Sequence, residues 1–207
     1  MDRLHSWRPQ GAETGRVMKL EVERLTAEPS PFAYEEDGGW WTARNPRDAS
    51  LPRDVAEPFR IEGVGYQPAG SEEILLEGTI TGAFELECAR CLARYRHRLR
   101  EPFRFVLEPA GLRTPAEPEA AEALVRDGMC LADEFELGWY RGSEIQLDSV
   151  CLELISLALP VKPLCRDDCA GLCPRCGADR NEAPCSCSEA ASSSPFAVLA
   201  ALRGERS

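Results

Sequence analysis

A chain of 207 residues with 35 Asp and Glu against 24 Lys and Arg carries a net charge of −11, which excludes a uniformly basic, nucleic-acid-coating surface. Any nucleic-acid contact has to come from a local patch, and the same acidity favours a basic protein partner. A body of this size buries roughly 70% of its unfolded surface and folds without a metal, whereas a segment of about 23 residues needs a staple.

In chain order, residues 1–15 are polar and irregular and read as a loose N-terminus, with an early acid (Asp2) and no apolar run, so no secretory signal is expected. Arg16 to Leu25 alternates weakly and predicts an edge strand. Residues 28–58, rich in Pro and acids around Trp40 and Trp41, predict loops with one or two short elements. Residues 59–66, 74–88 and 92–108 read as strands. In the second, Leu76, Ile80, Phe84, Leu86 and Cys88 share one parity and face a core. The last two strands form a long antiparallel hairpin with Cys88-Ala89-Arg90-Cys91 at its tip.

A short helix over 117–126, a strand over 134–140 and a turn at Gly142 follow. Asp148 is the expected N-cap of a helix ending at Pro160, whose Val150, Leu154, Leu157 and Ala158 recur at helical spacing and lay it on the sheet. Ser194 to Leu202 reads as a capped last helix with Pro195 in its first turn. The longest useful apolar stretch, Leu154 to Val161, is far short of the roughly 20 residues of a membrane span. The expected class is α+β: an antiparallel sheet with a long hairpin, one packed helix and a small cysteine-rich zinc-binding C-terminal module. Its units are a loose 1–15, a domain over 16–162, the module over 163–190, and a short helix and tail over 191–207.

Six of the ten cysteines fall between Cys165 and Cys187. In a reducing cytoplasm, the default compartment here, clustered cysteines are metal ligands more often than disulfides. Cys173-Pro174-Arg175-Cys176-Gly177 is a knuckle: the two-residue gap turns both sulfurs toward one tetrahedral ion, and the Gly takes the backbone conformation that closes the turn. With Cys185 and Cys187 it makes the preferred four-sulfur zinc set. Cys165 and Cys169 are left over, and with Cys88 and Cys91 they make a second four. Unliganded thiols or a redox pair are the alternatives. A redox role for Cys88 and Cys91 would place them at a helix N-terminus, whereas both flanks read as strand. Cys130 and Cys151 are isolated and read as core.

Arg94, Arg96, Arg98 and Arg100 recur with period two, so a strand puts them on one face, with Arg90 and Arg104 extending the stripe. Guanidiniums about 6.8 Å apart repel one another unless an anion or a row of acids lies opposite. Either Glu77, Glu85 and Glu87 on the partner strand neutralise them, or they bind phosphates of structured RNA, with a salt slope below about three. There is no Gly-rich phosphate loop, G-x-S-x-G or H-E-x-x-H, and only His5 and His97 could act as an imidazole base. No enzyme is expected.

Residues 82–92, with Cys88-Ala89-Arg90-Cys91, resemble the C-x-R-C signature of the YceD family, the large ribosomal RNA subunit accumulation proteins. Leu157 to Cys165, the block Cys169-x-G-L-C-P-x-C-G and the ending Pro195 to Leu202 are similar to its members too, so the resemblance spans residues 60–202. It implies a bacterial, cytoplasmic, non-enzymatic factor in synthesis, processing or stability of 23S-type ribosomal RNA, with that RNA or a pre-ribosomal particle as partner. It implies neither a membrane nor a small-molecule substrate. Members lacking the tail cysteines keep the C-x-R-C pair, which points to the hairpin as the shared working part. The alternative is an acidic interaction module holding a basic ribosomal protein or maturation factor.

Overall fold

The computed structural model describes residues 17–45, 51–132 and 136–187. A short strand β1 (Lys19–Glu21) and a 3₁₀ turn (Val22–Arg24) lead into β2 (Ser30–Glu36) and helix α1 (Gly38–Arg44). Asp37 caps α1 by accepting from the Trp40 amide at 3.0 Å. Three long strands follow: β3 (Val55–Tyr66), β4 (Ile74–Glu87) and β5 (Arg94–Pro109). Then come α2 (Pro118–Arg126), β6 (Met129–Leu131), β7 (Leu137–Tyr140), β8 (Glu144–Gln146) and α3 (Asp148–Ala158).

The main sheet has the order β2-β3-β4-β5-β7-β6, antiparallel except where β7 runs parallel to β5. A second, two-stranded sheet pairs β1 with β8. The β4–β5 hairpin is continuous from Ile74↔Leu107 to Glu87↔Arg94, so its tip projects beyond the rest of the sheet register.

One face of the sheet is apolar because the strands alternate. Leu76, Ile80 and Phe84 of β4 and Leu99, Phe103, Phe105 and Leu107 of β5 are all buried in the main core. Trp40 and Trp41 of α1, Val150, Cys151 and Ile155 of α3, and Met18 and Leu20 join them. Trp41 meets Phe84 edge-on at 5.2 Å, and Phe59 stands against both.

The single packed helix expected from the sequence becomes three among the described residues. α1 and α3 pack on the main core, while α2 covers a satellite of Ala110, Leu124 and Cys130. Asp148 is not the N-cap of α3; Leu147 is, and Asp148 is the first helical residue. Its carboxylate accepts instead from the Met18 amide (2.8 Å) and Trp40 Nε1 (3.0 Å) and pairs with Arg44 (2.6 Å), so it ties three elements together. The expected loose N-terminus and last helix lie outside the described residues. No helix among the described residues is long and apolar enough to cross a membrane.

Candidate metal centres and the arginine face

Two C-x-x-C turns share one backbone design. At the hairpin tip the Cys88 amide donates to the Ala93 carbonyl (3.0 Å) and the Leu92 amide to the Cys88 carbonyl (2.9 Å). In the tail the Cys173 amide donates to Ala178 (2.8 Å) and the Gly177 amide to Cys173 (2.9 Å). The residue after the second cysteine is left-handed in both, Leu92 at φ 60° and Gly177 at φ 73°. Gly adopts this freely; Leu does so at a cost of roughly 1–2 kcal/mol. The tip is therefore a knuckle too, although its sequence lacks the Gly.

Each knuckle meets a second cysteine pair. Cys88, Cys91, Cys165 and Cys169 form one group and Cys173, Cys176, Cys185 and Cys187 another, with the sulfurs in each within 4.8 Å of one another. In the first group Cys88 Sγ lies 3.8 Å from Cys169 Sγ, and Cys91 Sγ 3.7 Å from Cys165 Sγ. Those separations rule out disulfides, whose S–S length is about 2.05 Å. They match the edge of about 3.8 Å that a tetrahedron with metal–sulfur bonds of about 2.3 Å requires. Either group could therefore hold a metal ion.

The surroundings differ. Cys88, Cys91 and Cys169 are buried, with Tyr95, Leu164 and Leu172 packed around them. The tail is fastened to the tip by backbone bonds, Ala89 to Pro163 (2.8 Å) and Leu172 to Arg90 (3.0 Å). Gly171, at φ 70°, sits where a Cβ would meet the Arg90 carbonyl oxygen at 2.9 Å, so the close approach requires glycine. In the second group only Cys173 is buried and Cys176 is exposed. All its ligand candidates come from within the tail.

The thiols are polarised unequally. Burial pushes Cys88 up, but amides of Cys165, Cys91 and Arg90 outweigh it and bring the thiol down to about 6. The amides of Cys176 and Arg175 lower Cys173 to about 6. Cys165 is pushed up to about 12, by burial first and then by its sulfur neighbours. Cys187 reaches about 12 through its Cys176 contact and burial. The backbone thus favours the thiolate at Cys88 and Cys173, whereas at Cys165 and Cys187 a cation would have to displace a proton.

Arg94, Arg96, Arg98, Arg100 and Arg104 all stand on the exposed face of β5. Acids neutralise three of them. Arg94 pairs with Asp54 (2.5 Å), Arg96 with Glu57 and Glu85 (both 3.3 Å), and Arg98 with Glu57 (3.4 Å). Of the acids expected opposite, Glu85 takes part, whereas Glu77 and Glu87 form no ion pair among the described residues. Arg100 and Arg104 form none there either. Arg90 does not extend the stripe: its guanidinium donates to the carbonyls of Cys169 (2.8 Å) and Asp167 (3.3 Å), bracing the tail. Asp54 and Glu57 are not foreseeable from periodicity, because β3 meets β4 through bulges between Val55 and Arg60, which re-aim its start. Leu92 had a signal, its place after a C-x-x-C.

Cys151 lies in the main core and Cys130 in the satellite, both pushed up by burial, as structural thiols are. His97 stands edge-on to Tyr95 at 6.2 Å, and His5 lies outside the described residues.

Fold and site together define an α+β protein whose sheet carries a cysteine knuckle and whose tail supplies a second knuckle and the matching thiols. The family model for the large ribosomal RNA subunit accumulation protein YceD matches residues 76–203, and the chain belongs to the YceD family. Uncharacterized proteins of Mycobacterium tuberculosis and Mycobacterium bovis are each 32% identical over 119 residues, 58% of this chain and 48% of theirs. One from Mycobacterium leprae is 28% identical over 119 residues, 58% of this chain and 46% of its own. The chain thus spans about half the length of the curated relatives it matches. No solved structure matches it.

Proposed function

We propose that this chain is a non-enzymatic, zinc-bearing cytoplasmic factor in the accumulation of large-subunit ribosomal RNA, acting on synthesis, processing or stability of the 23S-type RNA during ribosome assembly. The family match over residues 76–203 carries this reading. Four thiolates at tetrahedral spacing suit zinc, which would keep no open coordination position for water and would therefore serve structure rather than chemistry. The eight clustered cysteines are its proposed ligands, four to each ion, and residues 163–190 are the proposed module. Bound zinc would neutralise thiolate charge and hold the tail on the hairpin tip. The tip, with Arg100 and Arg104, which form no ion pair among the described residues, would then meet RNA phosphates. In a bacterium depleted of its own copy, this chain should restore the ratio of large- to small-subunit ribosomal RNA. A ratio unaffected by depletion, or unrestored by this chain while a native copy restores it, would contradict the reading.

A second reading, an acidic module that holds a basic ribosomal protein or maturation factor, is favoured by the ion pairs that neutralise Arg94, Arg96 and Arg98. A cleft of about 510 Å³ beside α2 and α3 adds to it. Glu117, Glu119, Glu122 and Glu153 line this cleft and form no ion pair among the described residues, and Met129, Cys130 and Val150 also line it. Crosslinking in cells, with RNA and protein partners both identified, separates the two: RNA joined at Arg100 and Arg104 supports the first, a basic protein at the cleft the second.

A further inference from the structure

A side chain from the loop of the second cysteine group reaches a sulfur of the first. Asn181 lies in the loop of the second group, between Cys176 and Cys185, yet its amide is spent on the first. Its Oδ1 accepts from the Ala170 amide (2.7 Å) and from Arg166 Nη2 (2.8 Å). Its Nδ2 donates toward Cys169 Sγ (3.5 Å) and to Asp179 Oδ1 (2.6 Å). Both amide hydrogens and both oxygen lone pairs are used, the full capacity of an asparagine. Beside it, the Arg180 amide donates to the Gly171 carbonyl (3.0 Å), and Leu172 bridges Asp179. The second loop is thus stitched along the strip of chain that carries Cys169.

This loop has no apolar core among the described residues; the buried clusters hold none of residues 174–187. Its shape rests on hydrogen bonds such as Arg180 to Gly171 and on the gathering of Cys173 and Cys176 with Cys185 and Cys187, which a bound ion would lock. An ion that closed the second group would thereby also fix Asn181 against Cys169. Once in place it orders the Cys169–Ala170 backbone and offers an N–H to a sulfur that must be anionic to bind a metal. Hydrogen bonds of this kind to a ligand raise metal affinity about 10–100-fold.

We propose that the two groups take up two thiophilic divalent cations cooperatively, with Asn181 as the positioning residue that couples them. The inference rests on the zinc reading above. Linkage makes the effect reciprocal: an ion in the second group strengthens the first, and an ion in the first holds Ala170 and Cys169 where Asn181 needs them. The module would then load and unload as a unit when metal is scarce.

The test is a cycle of four full-length proteins titrated with Zn²⁺ against a chromophoric chelator. They are the parent, C185S/C187S, N181A, and N181A combined with C185S/C187S. The readout is the affinity of the first group, and far-UV circular dichroism of each protein checks that the sheet remains. Closing off the second group with serines should weaken the first about tenfold in the parent and by less than about twofold once Asn181 is gone. Native mass spectrometry at limiting Zn²⁺ supplies an independent readout: the one-ion species should be rarer than two independent sites give, and N181A should restore it.

Equal affinities with and without Cys185 and Cys187 would overturn the coupling while leaving the zinc reading intact. Coupling that persists in N181A would overturn the role of Asn181. A parent that binds no Zn²⁺ would remove the zinc reading itself, and the coupling with it.

Discussion

The sheet domain and the cysteine module hold their chains by opposite means. In the sheet domain Phe59, Phe84, Ile80, Leu107 and Trp41 are almost wholly buried, and each such side chain contributes about 1.5–3 kcal/mol. After α3, residues 159–187 contain no helix or strand beyond the bridge between Leu172 and Asp179. What is buried there is mostly sulfur, and the module leans on the hairpin tip through Arg90 and a few backbone bonds. Hydrophobic burial works without a ligand; four sulfurs at tetrahedral spacing add little until a cation joins them. The two regions should therefore fail under different insults.

Metal removal should separate them most sharply, because apparent zinc affinities in small tetrahedral sites correspond to about 10–16 kcal/mol. In hydrogen exchange, a chelator should free the amides of Ala89, Leu172 and Arg180 while those of β4 and β5 stay protected. Phe84→Ala should do the converse. It should lower the unfolding free energy of the sheet domain by about 3–5 kcal/mol in denaturant titration, with the metal count per chain unchanged.

A smaller effect belongs to the sheet domain alone. Glu36 is 4% exposed, and its Oε2 has no hydrogen-bond partner among the described residues. Burial first, then the Asp148 carboxylate, push it up from 4.5 to about 7, against the pull of Arg44. The folded protein thus keeps this proton more tightly than the unfolded chain does. Stability should fall as pH rises from about 4.5 to about 7, by about 2–3 kcal/mol, and level off above. Glu36→Gln should flatten that decline, read as unfolding free energy at successive pH values. At the junction of the regions, Leu92→Gly should relieve the left-handed leucine. The gain, about 1 kcal/mol or less after the entropy of glycine, should appear as tighter metal retention at the tip.

Much of this contrast was legible in the sequence. Alternation in residues 74–108 gave away the hairpin, because one buried face imposes period two. Cysteine spacing grouped Cys173 and Cys176 with Cys185 and Cys187, and arithmetic on the remainder paired Cys88 and Cys91 with Cys165 and Cys169; the sulfurs do assemble in those sets. What stayed hidden depends on long-range placement. Asp148 looks like a cap locally, yet its partners Met18 and Trp40 lie more than a hundred residues away. Asp54 and Glu57 reach the arginines across irregular β-pairing that no periodicity encodes. Asn181 carries no signature at all; its meaning appears only when Cys169 is seen beside it.

Two four-sulfur sites in one chain, one of them clamping the tail to the hairpin, are the centre of this picture. The most direct measurement is a metal count on the intact, reduced protein by native mass spectrometry, combined with zinc-edge X-ray absorption. Two zinc ions per chain are expected, with four sulfurs around each at about 2.3 Å, and a fall from two to fewer in both C88S/C91S and C185S/C187S. A metal-free chain, or a single ion that survives both pairs of substitutions, would contradict it.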